Sequence, residues 1–558
     1  MILPAISEEY VYQHLHYPEN LHLTCMACQW PVELAFPDAG KLVLGLDEDI
    51  YQVTDLCQCT NPDCEFHQIY FNPITRFDYS GRHYGADVFR YIANEFLPPC
   101  SLKPKQIWQH LKKFHPHLQI SEATVRRMCD DILKLKSFKI DQETIDIILK
   151  QGCILLGMDG QDPGGDAPAV WNFMDLLSNR ILATTKFETL DHQILHTFLE
   201  DFLKHIGVPV IGWVTDKQNV IITCHDTFYA EIPHQYCQYH FQEHLWGHLE
   251  CLDSKLFMPL KKMLSGLYIH VASSIKMVEF EGVGPRSVRS VFKKMDDDFQ
   301  TMIRVRNKTF KSLRGKWLYE TLRDYVQRAY ISMQTMNPGH RLTIIMRKTI
   351  DEIQTQLGLL EGIYNEEITL EAWFHRIQSL FNQDTLPWQE RQRQIDEIFQ
   401  EIYNNILTRQ PTFKLENCKS FLPGKKSTPL AILGEWCRLW TSYLPGLFKY
   451  EQFPGAFRTN GPNEVAFSKE KQLLIARVGK GIVSHMIATR GEEYLRITHC
   501  TQAELDEDII AQYQEFLMKG LRTMLRDTIH HQTQRWRTAK KTYDGVDGVK
   551  LEYELVNA

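Results

Sequence analysis

The middle of the chain alternates between short apolar runs and one amphipathic stretch. Cys153-Ile-Leu-Leu-Gly-Met-Asp159 is apolar until it ends on a carboxylate. Residues 170–177 and 181–187 read as two further strands, joined at Ser178-Asn179. Residues 191–206 place Leu195, Phe198 and Phe202 on one helical face, and residues 208–216 form another apolar run closed by Asp216. The predicted order is strand, strand, strand, helix, strand.

Upstream the period is helical. Residues 84–97 and 105–114 predict two helices, the second with Ile107, Leu111 and Phe114 on one face. Residues 121–136 predict a third, with Ser121 as N-cap and Val125, Met128, Ile132 and Leu135 in an apolar stripe. A short turn between the last two fits a helix-turn-helix, in which Arg126, Arg127 and Lys134 face phosphates; a plain packing unit with a solvated basic face is the other reading. From about residue 250 to 450 the pattern is almost wholly helical.

A chain of 558 residues, 44% hydrophobic and 23% charged, is an ordinary globular sequence with room for about three to four domains. No apolar run is long enough to span a membrane, and the start MILPAISEEY lacks a signal-peptide pattern. The expected location is the cytoplasm, on the nucleoid in a bacterium, or the nucleus in a eukaryote, with no membrane partner. The net charge of −7 is unevenly spread. Residues 1–80 hold twelve acids against two bases, which leaves the rest at net +3. Residues 286–316 carry ten bases against three acids, among them Arg304, Arg306 and Lys308, and read as a DNA-facing surface or a solvated helix face. Residues 519–541 hold seven bases and one acid, a basic tail or a grip on a DNA end.

Nine of the fourteen cysteines are scattered and are expected to be reduced thiols. The other five crowd together as Cys25-Met-Ala-Cys28 and Cys57-Gln-Cys59 through Cys64, with His67 beyond. Two such knuckles supply the four soft ligands of a structural Zn²⁺; Cys25, Cys28, Cys59 and Cys64 are favoured, with Cys57 and His67 as substitutes. Cys237-Gln-Tyr-His240, near His234 and His244, is a second zinc site or a packing and DNA-positioning element.

An Asp that closes an apolar strand twice in one domain points to a cation, because like charges held close together are unfavourable without one. A third acid, Glu464, lies at a predicted helix start in Arg458-Thr-Asn-Gly-Pro-Asn-Glu464. Carboxylates from separate elements can hold the paired divalent ions that serve phosphodiester cleavage. Asp162 and Glu470 are rival acids; Asp162 lies in a Gly/Pro-rich loop suited to a turn. The element order ending on these acids is the opening of an RNase H-like fold.

These residues resemble the DDE-type transposases of the Mutator-like group and related bacterial insertion-sequence enzymes. The likeness rests on Met158-Asp159-Gly160, Val214-Thr215-Asp216, Cys237-Gln-Tyr-His240 and Thr459-Asn460-Gly461-Pro462-Asn463-Glu464, with Lys469 and Lys471 downstream. It implies Asp159, Asp216 and Glu464 as catalytic residues binding two Mg²⁺, or Mn²⁺ in their place. It also implies transposon-end and target DNA as partners, and a homodimer or higher oligomer. The 248-residue interval from Asp216 to Glu464 implies an insertion. The expected fold is then an RNase H-like α/β catalytic domain interrupted by a large all-α insertion, preceded by a zinc-binding segment and a helix-turn-helix domain. The expected domains are 1–80 (zinc), 81–148 (helix-turn-helix), 149–250 and 451–500 (catalytic), 251–450 (insertion) and 501–558 (basic helical). The expected activity is metal-dependent strand cleavage and strand transfer. A transposase-derived DNA-binding regulator and a structure-specific nuclease on the same fold are the alternatives.

Overall fold

The computed structural model describes residues 11–15, 25, 28, 30–37, 41–64, 67, 84–138, 142–164, 167–281, 286–304, 312–417, 428–455 and 457–498. The chain divides into two units, one of residues 1–234 and 460–558 and the other of residues 235–459.

The first unit opens with a small sheet. Strand β4 (Ile50–Cys59) pairs in parallel with β1 (Val11–Leu15) and antiparallel with β2 (Val32–Pro37) and β3 (Lys41–Val43). Helices α1 (Ala86–Phe96), α2 (Pro104–Phe114) and α3 (Glu122–Phe138) follow. The segment after β3 is fixed to them: Asp87 accepts from the Leu46 N–H at 2.7 Å, and Gly85 N–H donates to the Leu44 carbonyl at 2.8 Å. The stripe expected on α3 is there, with Val125, Met128 and Ile132 buried and Ser121 Oγ accepting from the Thr124 N–H.

Helix α4 (Gln142–Gln151) leads into the central sheet, whose strands are β5 (Ile154–Gln161), β6 (Val170–Asp175), β7 (Arg180–Lys186), β8 (Val210–Thr215) and β9 (His234–Tyr236). Their order is β7-β6-β5-β8-β9. The β5-β6-β7 meander is antiparallel, and β8 joins β5 in parallel after the crossover helix α5 (His192–Ile206). Asp191 caps α5 by accepting the Ile194 N–H, and Gly207 ends it at φ +77°, a left-handed conformation that favours glycine. Helix α6 (Asn219–Phe228) returns beside α5. Ile154, Leu156, Met158, Trp171 and Phe173 on one sheet face pack with Leu195 and Leu199 of α5 and Ile221 of α6. The opposite face is covered by α13 (Gly461–Val478) and α14 (Val483–Ile497), which return to the sheet late in the chain.

The second unit is helical: α7 (Gln238–Glu281), α8 (Arg286–Ile303), α9 (Arg314–Met333), α10 (Arg341–Phe381), α11 (Trp388–Arg409) and α12 (Pro429–Leu447). Leu256, Leu260 and Leu264 of α7 share one core with Phe299, Leu322, Ile350 and Ile353 from α8, α9 and α10. A second cluster joins Phe241 to Phe399 and Trp440, the last two stacked at 4.9 Å.

Candidate functional site

Strand β5 is buried along nearly its whole length, so an acid within it must be held by something other than bulk water. Asp159 is 5% exposed and accepts from the Gly160 N–H at 2.9 Å. Side chains alternate along a strand, so Gly157, Asp159 and Gln161 share the face covered by α13. Contact there is close: a Cβ at Gly157 would stand 2.8 Å from Asn460 Oδ1 and 2.9 Å from Asn463 Nδ2. Only glycine lets the helix approach this near.

Three asparagines fasten that helix. Asn460 Nδ2 donates to the Met158 carbonyl at 2.8 Å, Asn463 Nδ2 donates to Asn460 Oδ1 at 2.6 Å, and Asn172 Nδ2 donates to Asn463 Oδ1 at 2.7 Å. Asn172 is the cross-strand partner of Asp159, and all three asparagines are fully buried. Glu464 follows in the first turn of α13, partly exposed. Its carboxylate and that of Asp159 offer oxygens within 4.8 Å of each other.

Asp216 stands one position beyond β8. Met158 and Thr215 are register partners, so Asp159 and Asp216 occupy the same end of adjacent parallel strands. Asp216 Oδ2 accepts from Gln218 Nε2 at 2.8 Å. Thr215 Oγ1 donates to the Asp216 carbonyl at 2.7 Å and lies 2.7 Å from His234 Nε2. Burial, reinforced by the neighbouring His225, lowers His234 to about 3, so it is a neutral imidazole whose Nε2–H donates to that threonine. The three acids are not all gathered within 4.8 Å of one another; the close pair is Asp159 with Glu464. Ligand atoms gathered this closely could hold a metal ion. Of the rival acids, Asp162 is exposed and accepts from the Gly164 N–H at 2.7 Å, a turn role. Glu470 is fully buried six residues beyond Glu464.

Cys25, Cys28, Cys59 and Cys64 come together with all sulfurs within 4.8 Å, a cluster that fits a zinc site. The Cys25–Cys64 and Cys28–Cys59 sulfur pairs lie 3.7 and 3.6 Å apart. A tetrahedron with Zn–S near 2.3 Å requires about 3.8 Å. Burial opposes ionisation of Cys28, yet the Trp30 N–H and the sulfurs of Cys64 and Cys59 outweigh it and bring this thiol down to about 7. The two substitutes are outside the set. Cys57 is buried two positions before Cys59, and His67 Nδ1 is bonded to the Cys59 carbonyl at 2.8 Å.

Arg126 and Arg127 are exposed on α3, Arg126 paired with Glu122 at 3.1 Å. Lys134 corrects the expectation: it is 4% exposed and turned toward Glu493, Asp131 and Asp130, with burial lowering its pKa. The reason is long-range. Helix α14 packs on the second face of α3, where Arg490 pairs with Asp130, so the basic face is confined to the first half of α3. Arg304 is exposed at the end of α8; Arg306, Lys308 and the basic stretch 519–541 lie outside the described residues. Cys237 is buried before α7, and His240 lies in the first turn of that helix, in the second unit.

Gly157, Asn172 and Asn463 were missed by sequence reasoning. A glycine between apolar residues and two asparagines 291 residues apart carry no local signal, although Asn463 belongs to the Asn-rich stretch before Glu464.

No family model matches the chain, and no curated protein matches it. Among solved structures it is similar to a chain of the Drosophila P element transposase strand transfer complex. The identity is 13%, the TM-score 0.29, and the match covers 75% of this chain and 93% of that one. A likeness so distant assigns neither fold nor activity.

Proposed function

We propose that the protein is a DNA transposase whose catalytic carboxylates are Asp159, Asp216 and Glu464, carried by an RNase H-like sheet that the helical unit interrupts. The observation that carries this reading is the return of Glu464 to within 4.8 Å of Asp159, on a helix fastened to β5 by an asparagine hydrogen bond spanning 302 residues. An acid brought back over such a distance onto a glycine-lined contact is a built feature.

Asp159, Glu464 and Asp216, on the neighbouring strand end, would hold the divalent cations. When bound, such ions activate an attacking oxygen and stabilise the leaving oxygen of a phosphodiester. The protein's own contribution is placement. The asparagines fix the height of Glu464 above β5, and His234 with Thr215 fixes the Asp216 backbone. The zinc-fitting cluster and helices α2 and α3, with Arg126 and Arg127 outward, read the transposon end.

The test is incubation of the chain with labelled end DNA, a target plasmid and Mg²⁺. A transposase gives joined products. Cleavage without joining indicates a nuclease, and binding without cleavage indicates a DNA-binding regulator. Asp216→Ala should bind end DNA and leave it uncut; retained cleavage would sink the assignment.

A further inference from the structure

Register pairs Gln161 on β5 with Val170 on β6, and Val170 with Lys186 on β7, so these side chains form one row on one sheet face. That face looks toward α13 and α14. A Cβ at Gly491 would stand 2.8 Å from Val170 Cγ2 and 3.2 Å from Glu470 Oε1. The next row on the same face is Asp159, Asn172 and Thr184, and Thr184 Oγ1 donates to the Glu492 carbonyl at 3.0 Å.

Val170 is the apolar member of this row; the polar groups around it are buried, except Glu492, whose side chain is 32% exposed. Gln161 is 7% exposed, Glu470 is 0% exposed, and the Lys186 side chain is 3% exposed. Both amide atoms of Gln161, the Lys186 ammonium, both Glu470 oxygens and Asn172 Oδ1 have no hydrogen-bond partner among the described residues. Lys186 Nζ is 3.9 Å from Glu492 Oε2, too far for a hydrogen bond. Buried polar atoms left unmet are costly, and so many in one place mark a polar ligand. Donors and acceptors are mixed. Lys186 disfavours a cation, Glu470 and Glu492 disfavour an anion, and water can both donate and accept.

We propose that Gln161, Lys186, Glu470 and Glu492 enclose a water cluster beside Asp159, and that Glu470 is a positioning residue for protons, exchanging them through this water with the neighbouring reaction site. This rests on the assignment of Asp159 and Glu464 as the acids of that site. When water attacks the phosphodiester, one P–O bond forms and one breaks. The water's O–H bond breaks with its electron pair left on oxygen, and the proton passes along the cluster to the Glu470 carboxylate. The 3′-oxygen leaves with the electron pair of its bond to phosphorus and takes a proton back from the Glu470 carboxylic acid.

The surroundings suit the role. Burial pushes the Glu470 carboxyl up to about 8 against the opposing pull of Lys186 and Lys471. Glu492, Glu493 and Arg490 of α14 complete the charged groups around Lys186. A group poised near neutrality can both accept and return a proton.

Glu470→Gln is the test, with three readouts: pH dependence of end cleavage, Mn²⁺ affinity by calorimetry, and thermal midpoint from about pH 5 to about pH 9. The expected result is a cleavage rate lower by about tenfold or more, a flattened pH profile, unchanged Mn²⁺ affinity, and a midpoint that falls less steeply than the parent's as pH rises. A wild-type pH profile in the variant overturns the proposal, as does a crystal structure with Lys186 bonded directly to Glu470 and no water beside Gln161. Should Glu470→Gln not fold, Gln161→Met carries the same test, with slower cleavage at unchanged Mn²⁺ affinity expected and a wild-type rate contradicting it. Failure of the underlying reading is separately visible, because Glu464→Gln would then still cleave DNA.

Discussion

Each unit brings two carboxyl groups together, under different conditions. In the first, Asp159 and Glu464 have oxygens inside 4.8 Å; Asp159 is anchored in a strand and Glu464 is partly exposed. In the second, Asp253 of α7 and Glu367 of α10 meet inside the helical core, 6% and 0% exposed. Asp253 Oδ1 accepts from the Lys316 N–H at 2.9 Å, so it serves as a cap for the start of α9. Glu371, one turn beyond Glu367, takes the Lys316 ammonium at 2.6 Å. Burial, then the charge of Asp253, pushes the Glu367 carboxyl up to about 10, so a proton removes the repulsion. Closeness of two acids therefore does not define a metal site. Access from solvent at Glu464 separates the first pair from the second.

That contrast breaks most directly at the level of activity. Asp159→Asn and Glu464→Gln are each expected to reduce end cleavage on the order of a thousandfold, with the fold intact. Glu367→Gln should cleave like the parent chain; a matching loss there would erase the distinction. Donor type sharpens it further. Cys59→Ser should lose a bound zinc ion, read by metal analysis, with an affinity lower by about a hundredfold or more, while Mn²⁺ binding at the carboxylates is kept.

Smaller effects follow in stability. Asp253→Ala removes the acceptor for the α9 start and should cost about 2–3 kcal/mol in denaturant unfolding of the helical unit. Gly157→Ala forces a methyl against Asn460 and Asn463; a loss of about 1–2 kcal/mol is expected, with slower cleavage because Glu464 is displaced. A further effect is in pH. The native state keeps the Glu367 proton that the unfolded chain releases near 4.5, so stability present at low pH is lost as pH rises toward about 10. Glu367→Gln should lessen that decline, and a slope unchanged by the substitution contradicts a protonated Glu367.

Much of the sheet was legible because strands and crossover helix each carry a local period: the runs ending at Asp159 and Asp216 and the helix over 192–206 need no distant partner to be recognised. The gathering of the four cysteines was legible from their spacing, and Glu464 stood out through the resemblance of its short Asn-rich context. What was not legible depends on residues far apart in the chain. Lys134 has the spacing of an exposed base, yet α14 covers it from some 350 residues downstream, with Arg490 holding Asp130 across a separation of 360. Gly157 shows its purpose only once α13 lies on it, and Gln161 and Lys186 share a row only through the β6 register.

The most direct measurement is a calorimetric titration of Mn²⁺ into the parent chain, Glu464→Gln and Glu367→Gln, each followed by end cleavage in the same buffer. The account predicts that Glu464→Gln loses both Mn²⁺ binding and cleavage, while Glu367→Gln keeps both. Mn²⁺ binding and cleavage undiminished in Glu464→Gln would contradict it.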